Sequence, residues 1–410
     1  MFGTGLVTRL PNSWRTRIHR SLSPFRIYYN HIKLRKLRRP VSGPQHFGEC
    51  RVVILGLFGL RGGLGRAAEL LAKELEHEGA LVARIDVTDA FGWRPNQIRD
   101  GVSDLSALKS MRFDVVVVHL NPPDLCLLLQ KHLSDAVRYS CLVGYFAWEL
   151  DRVPETWFDG IACCNQIWVP SAFVARAIEQ SVPGARAKLR VREHRVDLEK
   201  LPKPTSMARS MARRRLRLRE DAFVILTSFS ANSNVARKNP VAAVEAFCKA
   251  MECVDTPAQM LVRCLDFEDF QDELRPLERA VSDDPRIRLM LIGQHESSSI
   301  EEAYLAADLY LSLHRSEGFG LNLAEALEIG LPVIATQWGL ADSIASHPNF
   351  TGVPSRLVSV IDPQHTYDQV PAAHWADPDI EFAAAQLRKR IEECGAKQNN
   401  LFGPDGKHAL

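Results

Sequence analysis

The chain has 410 residues, of which 46% are hydrophobic and 24% are charged. This length exceeds one ordinary core and suits two domains, and the composition excludes a largely disordered protein. Residues 1–48 contain ten Lys or Arg and no Asp or Glu, whereas the remainder contains 41 basic and 49 acidic residues. The acidic remainder argues against a nucleic-acid-binding protein. Residues 1–48 are predicted to be a basic N-terminal extension, which is either a contact to an anionic membrane surface or a solubilising tail.

No apolar run approaches the roughly 18–20 residues that span a bilayer. The first 20 residues also lack the apolar segment and cleavage site of a secretory signal. We therefore expect a cytoplasmic protein, peripheral on a membrane if the extension binds one. The nine cysteines include no C-x-x-C pair, which predicts free thiols rather than a zinc site.

From Arg51 onward, short apolar runs such as RVVILGLF (51–58) and FDVVVVHL (113–120) alternate with helix-length segments. Continuous apolar runs are typical of parallel strands that are covered on both faces. The alternation stops near residue 200, in a stretch with two prolines and many arginines, and then resumes. The pattern predicts two Rossmann-like, doubly wound α/β domains, 49–200 and 201–393, followed by a polar tail, 394–410. Such sheets bind ligands at the carboxyl ends of their strands, so we expect the ligand in the cleft between the domains.

A glycine-rich loop, GLRGGLGRAAEL (59–70), follows the first predicted strand. Gly62, Gly63 and Gly65 allow a ligand to approach the backbone closely, and the N-terminus of the next helix suits a phosphate. The GK[ST] of a P-loop is absent and the dinucleotide fingerprint does not match. A tight strand–helix turn without a ligand is therefore an equal alternative.

The segment SLHRSEGFGLNLAEALEIGLPVIAT (312–336) has the pattern strand, loop, helix, turn, strand. Glu317 stands in the glycine loop and Glu325 follows eight residues later in the helix. Ionised carboxylates accept pairs of hydrogen bonds from diols, so this pair suits a ligand rich in hydroxyl groups. The alternative is a helix cap and a solvated helix residue.

Two adjacent cations, Arg237 and Lys238, stand at the mouth of a predicted helix in SFSANSNVARKNP (228–240). Two cations beside a helix N-terminus suit a pyrophosphate group. The alternative is a surface pair that begins a helix.

These motifs resemble those of a known family. EGFGLNLAEA followed by GLPVIAT is similar to the E-x7-E motif of family 4 glycosyltransferases, which are retaining enzymes of the GT-B fold. ARKNPVAAVEAF, YFAWELDRVPETW with NQIWVPSAF (145–173), and HWADPD (374–379) resemble one branch of that family. The resemblance extends from about residue 51 to residue 393.

The resemblance implies a role for each candidate residue. Glu317 would contact the transferred sugar, Glu325 would hold the ribose hydroxyls, and Arg237 and Lys238 would neutralise the leaving diphosphate. Gly293 would lie in the wall around the base. The remaining donor-binding candidates are the backbone amides of two loops: Gly318, Phe319, Gly320 and Leu321 in one, and Gly62, Gly63 and Gly65 in the other. No D-x-D pair stands in a loop suited to a divalent ion, so we expect no metal and no cofactor beyond the nucleotide-sugar donor.

The chain departs from the family in three places. Many members have an arginine several residues before the lysine, where this chain has the polar residues 232–234, which leaves Arg237 as the substitute. Many also have a histidine after the strand that corresponds to 113–120, and His119 and Asn121 are both candidates for that position. Finally, the residues after Cys394 are few and polar, whereas GT-B chains usually end in helices that cross back to the first domain.

The expected function is retaining transfer of a sugar, mannose-like in this branch, to a glycan or lipid-linked acceptor in polysaccharide biosynthesis. One alternative is another enzyme on the same scaffold, such as a nucleotide-sugar epimerase or an inverting transferase. Another is an inactive nucleotide-sugar-binding protein, which would be marked by loss of Glu317 or Lys238, and both residues are present.

Overall fold

The computed structural model describes residues 28–401, apart from 61, 94, 96, 98–99, 134–139, 198–200, 294–295 and 297–299. It contains two parallel sheets, each packed between layers of helices. The predicted pair of doubly wound α/β domains is therefore confirmed. Residues 1–27 of the predicted basic extension lie outside the described residues.

The first domain contains a seven-stranded parallel sheet in the order β3-β2-β1-β4-β5-β6-β7. Its strands are β1 Arg51–Gly56, β2 Leu81–Asp86, β3 Val102–Asp104, β4 Val115–Val118, β5 Cys141–Tyr145, β6 Gln166–Val169 and β7 Leu189–Val191. Its α-helices are α1 Gly63–His77, α2 Pro122–Leu128, α3 Phe158–Cys163 and α4 Ala172–Ser181. Shorter helical turns are Thr88–Phe91, Leu105–Ser110, Leu129–Leu133, Glu155–Trp157 and Pro183–Lys188. The central strand β4 is buried at every position, as its four valines predict.

The second domain contains a six-stranded parallel sheet in the order β10-β9-β8-β11-β12-β13 and an antiparallel pair, β14 and β15. Its strands are β8 Phe223–Ser230, β9 Ala258–Leu265, β10 Ile287–Ile292, β11 Leu309–Ser312, β12 Val333–Thr336, β13 Phe350–Val353, β14 Ser355–Ser359 and β15 His374–Pro378. Its helices are α5 Ser206–Arg215, α6 Val235–Lys238, α7 Pro240–Met251, α8 Gln271–Val281, α9 Ile300–Ala306, α10 Leu321–Glu328, α11 Asp342–Ala345 and α12 Ile380–Leu401, with a short turn at Ala231–Ser233.

Residues 28–48, here called the N-terminal segment, pack against the first domain. Residues 28–34 are helical and are followed by a short turn, Arg35–Leu37. Leu34 is buried, Asn30 accepts a hydrogen bond from Gln130 Nε2 (2.8 Å), and Arg39 Nη1 donates to the Ser140 carbonyl (2.6 Å). A free solubilising tail is therefore the wrong interpretation for residues 28–48, because their apolar and polar groups have partners in the first domain.

Helix α12 extends beyond residue 393, into the stretch that was predicted to be a polar tail. Its buried residues Ala383, Leu387 and Ile391 share a core with Phe247 of α7, and Lys249 pairs with Glu381 at 2.6 Å. Over its described side chains, α12 thus packs on the second domain and does not cross to the first.

The loop after β5, residues 146–151, contacts the second domain. Leu150 is fully buried in a cluster with Tyr367 and Trp375 of the second domain. The rings of Trp148 and Tyr367 lie 5.8 Å apart, edge to face. The loop 146–151 and the segment HWADPD (374–379), which are far apart in the sequence, therefore meet at one interdomain contact. They pack together because each covers apolar side chains of the other.

Candidate active site

The site lies where the strand order of the second sheet reverses. Strands β8 and β11 are neighbours in the sheet, and the loops that follow them lie at their carboxyl ends, where open α/β sheets bind ligands. Two hydrogen bonds join these loops: Arg315 N donates to the Arg237 carbonyl (2.7 Å), and Asn239 Nδ2 donates to the Leu313 carbonyl (2.9 Å). The fold thus brings the RK pair and the first glutamate of the E-x7-E motif together.

Glu317 is held by both cations that the sequence proposed. Lys238 Nζ forms an ion pair with Glu317 Oε1, and Arg237 Nη1 lies 3.5 Å from Glu317 Oε2. Burial acts to raise the pKa of Glu317, but the facing charges of Lys238 and Arg237 lower it to about 2. Burial lowers the pKa of Lys238, against the opposing effect of Glu317. Glu317 is therefore an ionised carboxylate at neutral pH.

Arg237 differs from the sequence prediction. Its Nε and Nη2 donate to the Ser233 carbonyl (3.1 and 2.7 Å), and its Nη1 donates to the Ser316 carbonyl (2.8 Å). The residue is only 3% exposed. A guanidinium whose three nitrogens all contact protein oxygens joins the two loops and orients Glu317, a positioning role that the sequence did not predict. Its contact with a leaving diphosphate stays a prediction.

Glu325 lies on α10 and is 1% exposed. Its Oε2 accepts a hydrogen bond from Tyr304 Oη (3.0 Å), and its Oε1 lies 2.6 Å from Arg66 Nη2 of the first domain. Burial raises the pKa of Glu325 to about 7, although Arg66 and Tyr304 oppose this shift. Unlike Glu317, Glu325 is partnered across the domain interface.

The glycine loop of the second domain packs closely under the first. A Cβ at Gly318 would lie 2.4 Å from the Trp148 carbonyl oxygen, and the Gly318 carbonyl accepts a hydrogen bond from Ser171 Oγ (2.6 Å). Gly320 has a φ of +98° and precedes Leu321, the first residue of α10. Phe319 is buried against the His194 ring, with centroids 4.9 Å apart. The end of this loop that is predicted to face a phosphate is the N-terminus of α10.

The glycines of the first-domain loop do not share one role. A Cβ at Gly62 or Gly63 would meet no atom of the described residues within 4 Å, so they leave the space that a ligand needs. A Cβ at Gly65 would lie 2.6 Å from the carbonyl oxygens of Leu57 and Leu60. Gly65 therefore permits close packing of α1 against the preceding loop, and the contact of its amide with a phosphate stays a prediction.

His119 and Asn121, the two candidates for one position, are placed differently. His119 is 1% exposed, stacks on Tyr145 at 4.5 Å, and has no hydrogen-bond partner for its ring nitrogens in the described part of the chain. Burial lowers the pKa of His119 to about 4, so its ring is neutral at pH 7. Asn121 Oδ1 accepts a hydrogen bond from Ala147 N (3.1 Å) and so supports the interdomain loop 146–151.

Gly293 directly follows β10, at the carboxyl end of the edge strand of the second sheet. Its amide lies 3.4 Å from Glu296 Oε2, and a Cβ there would lie 2.4 Å from Glu268 Oε1. Its role in the wall around a base stays a prediction.

Sequence reasoning missed three residues: Arg66, Glu149 and Tyr304. Burial lowers the pKa of Arg237, whereas Tyr367, Glu149 and Glu317 raise it, so that it lies above its ordinary value. Glu149 thus acts on the cations from the first domain. Its sequence signal is a carboxylate directly after Trp148, in a loop that follows a buried strand. The signal for Arg66 is a cation in the first turn after a glycine loop, whereas Tyr304 has none.

The residues that the structure describes contain no group of three or more His, Cys, Asp or Glu placed to hold a metal ion. None of their helices combines the length and the apolar character needed to cross a bilayer.

Comparisons with known families and proteins match parts of the chain. Residues 233–354 match the model of the family described as glycosyl transferases group 1. A stretch of 70 residues is 39% identical to the lipopolysaccharide core biosynthesis mannosyltransferase LpsB of Rhizobium meliloti (strain 1021). This match covers 17% of the chain and 19% of that relative.

Solved structures show that the whole fold is shared. A glycosyltransferase from Rickettsia africae ESF-5 has a TM-score of 0.58 at 16% identity, with 84% of this chain and 89% of that chain covered. The catalytic domain of starch synthase IV from Arabidopsis thaliana, bound to ADP and acarbose, has a TM-score of 0.59 at 13% identity, with 86% and 94% covered. The chain therefore has the GT-B fold, and the match of its second domain supports a glycosyltransferase of the group 1 family.

Proposed function

We propose that the chain catalyses metal-independent transfer of a sugar from a nucleoside-diphosphate sugar to a glycan or lipid-linked acceptor, with retention of anomeric configuration. The observation that supports this proposal is the Lys238–Glu317 ion pair beside the N-terminus of α10, with Glu325 farther along the same helix. A cation and a helix N-terminus suit a departing diphosphate, and two carboxylates suit the hydroxyl groups on either side of it.

In the proposed reaction, the bond between the anomeric carbon and the diphosphate oxygen breaks, and that oxygen keeps the electron pair. The Lys238 ammonium and the amides of α10 stabilise the charge that develops there. Glu317 holds the sugar hydroxyls, and Arg237 keeps Glu317 in place. The acceptor oxygen bonds the anomeric carbon on the same face, and its proton passes to the leaving phosphate oxygen. Glu325 holds the ribose, which does not change.

The likeness of one segment to the LpsB mannosyltransferase supports a mannose-like donor and a role in polysaccharide or lipopolysaccharide biosynthesis. We therefore propose that the acceptor is a growing glycan or a lipid-linked glycan. The donor nucleotide is to be found by a panel of nucleoside diphosphates and their sugars, through thermal stabilisation of the protein.

The decisive test follows the donor after it is bound. Wild-type protein incubated with the stabilising nucleotide sugar should release nucleoside diphosphate slowly without acceptor and faster with one. Glu317→Gln should abolish this release, whereas Glu328→Gln, on the exposed end of the same helix, should leave it unchanged. Binding without release would indicate an inactive binding protein. Conversion of the sugar to its epimer would indicate an epimerase.

We also propose that the N-terminal segment places the enzyme on the cytoplasmic face of an anionic membrane. Tyr28, Tyr29 and Ile32 are 70%, 53% and 54% exposed, on the face of the helical residues opposite to the buried Asn30 and Leu34. Exposed aromatic and aliphatic side chains between cations suit a lipid headgroup region, at about 1 kcal/mol per cation near the surface.

Vesicle sedimentation tests this surface in the full chain. Lys33 and Lys36 are exposed in the N-terminal segment, and Lys203 and Lys389 are exposed on the second domain. Lys33→Glu with Lys36→Glu should weaken binding to vesicles rich in phosphatidylglycerol, whereas Lys203→Glu with Lys389→Glu, which changes the net charge equally, should not. Equal loss in both variants would show that only total charge matters and would contradict a defined membrane surface.

A further inference from the structure

Arg66 reaches across the domain interface to the carboxylate that is proposed to bind the ribose. It belongs to the first turn of α1, where its backbone N–H donates to the Gly62 carbonyl (3.1 Å). Its Nη2 lies 2.6 Å from Glu325 Oε1 and 4.0 Å from Glu301 Oε1. Because Tyr304 Oη occupies the other oxygen of Glu325, both carboxylate oxygens have protein partners. A ribose diol that approaches Glu325 Oε1 from the side of the first domain would compete with Arg66 for that oxygen.

The second domain alone offers few cations for a diphosphate. Arg237 is 3% exposed and its three guanidinium nitrogens contact protein oxygens. Lys238 is paired with Glu317. Arg66, by contrast, has a side chain that is 31% exposed. It adjoins the loop positions Gly62 and Gly63, where the structure leaves open space.

The guanidinium group has the chemistry that such a position requires. Its planar fork binds a phosphate through two parallel hydrogen bonds, and it stays charged at every relevant pH. A move from the carboxylate to a phosphate at the same interface would exchange one anionic partner of Arg66 for another, so the guanidinium charge would stay paired. The ribose hydroxyls would take the place of Arg66 as hydrogen-bond donors to Glu325. Leaving a charge without a partner in a partly buried site is the costly alternative.

We infer that Arg66 is a donor-binding residue whose guanidinium passes from Glu325 to the diphosphate when the ribose takes its place on Glu325. This inference rests on the proposed function, because it needs a nucleoside-diphosphate donor. The second cation that binds the diphosphate then comes from the first domain. Arg66 takes the role that the sequence analysis predicted for Arg237.

The test compares ligands with and without phosphates. UDP, ADP and GDP are each paired with the matching nucleoside, and affinities are measured by displacement of a fluorescent nucleoside diphosphate, so that weak binding is also measured. Arg66→Gln should weaken binding of the preferred diphosphate about ten- to hundredfold. It should leave binding of the nucleoside equal or tighter, since Glu325 loses its competitor. Arg66→Lys keeps the charge but lacks the planar pair of donors. Its affinity for the diphosphate should lie between those of the wild-type protein and Arg66→Gln.

Arg84→Gln is the matched control, because Arg84 pairs with Glu69 and Glu76 within the first domain. It should change neither affinity. Equal weakening of nucleoside and diphosphate by Arg66→Gln would show that Arg66 only supports the interface, and no change in either would remove it from the donor site; both results overturn the inference. Failure of the wild-type protein to bind any diphosphate would instead contradict the proposed function itself.

Discussion

The two glutamates of one motif lie in opposite electrostatic settings. Glu317 faces two cations from its own domain, and its pKa is lowered to about 2 against the effect of burial. Glu325 is more deeply buried, has its cation on the other domain and has Glu301 nearby, and its pKa is raised to about 7. A carboxylate that is paired within one domain is therefore a fixed charge. A carboxylate that is paired across domains has a charge that depends on the interface and on the ligand that enters it.

The largest expected effect is the loss of kcat when the ion pair between Lys238 and Glu317 is broken. Glu317→Gln and Lys238→Ala should each lower kcat about 100-fold or more, if each removes about 3 kcal/mol of electrostatic stabilisation. The reason is that charge on the sugar and on the leaving phosphate changes most in the transition state. Steady-state kinetics with the preferred donor measures this effect, and Glu328→Gln on the same helix serves as control. Loss of affinity for the donor with unchanged kcat would contradict the assigned roles.

The cross-domain pair should affect binding rather than chemistry. Glu325→Ala should raise KM for the donor and weaken the free nucleoside diphosphate about tenfold or more, because the ribose contact is the same in the ground state and the transition state. Glu317→Gln should leave binding of the free diphosphate nearly unchanged, since that ligand has no sugar. Calorimetry on both variants measures the difference. If both weaken the diphosphate equally, the division between sugar and ribose is wrong.

The raised pKa of Glu325 should make the affinity for the donor depend on pH. Since that pKa is about 7, Glu325 takes up a proton as the pH falls through this value and becomes a poorer acceptor for the ribose hydroxyls. Affinity for the nucleotide sugar should therefore fall below neutral pH, by at most about tenfold per pH unit. Glu325→Gln should bind more weakly at high pH and lack this dependence. A dependence that survives in Glu325→Gln belongs to another group.

The smallest effect is expected from another cross-domain contact. Asp151 Oδ2 lies 2.9 Å from His374 Nδ1, with side chains 20% and 41% exposed. Such solvated pairs contribute about 1 kcal/mol or less, so Asp151→Asn should change the free energy of unfolding by no more than this. Denaturant titration measures the change, and donor binding measured in parallel should be unaltered. A large loss of donor affinity would show that any interdomain contact, not Arg66–Glu325 in particular, controls the site.

By itself the sequence determined the fold class, because parallel strands covered on both faces produce continuous apolar runs such as 115–118. It also singled out Glu317 and Glu325 in one local motif and Lys238 in another, because each motif is a loop beside a helix. It could not separate Gly62 from Gly65, since both are glycines after one strand and only packing against Leu57 and Leu60 shows which position is closed.

The tertiary structure alone decided every relation between the domains. Arg66 meets Glu325, and Leu150 packs with Trp375, because two distant surfaces of complementary charge and shape close on each other. It also decided that Arg237 joins two loops, since backbone carbonyls carry no side-chain signal in a sequence. Local periodicity fixes which face of a strand or helix is apolar, but the partner that covers this face is chosen by the folded chain as a whole.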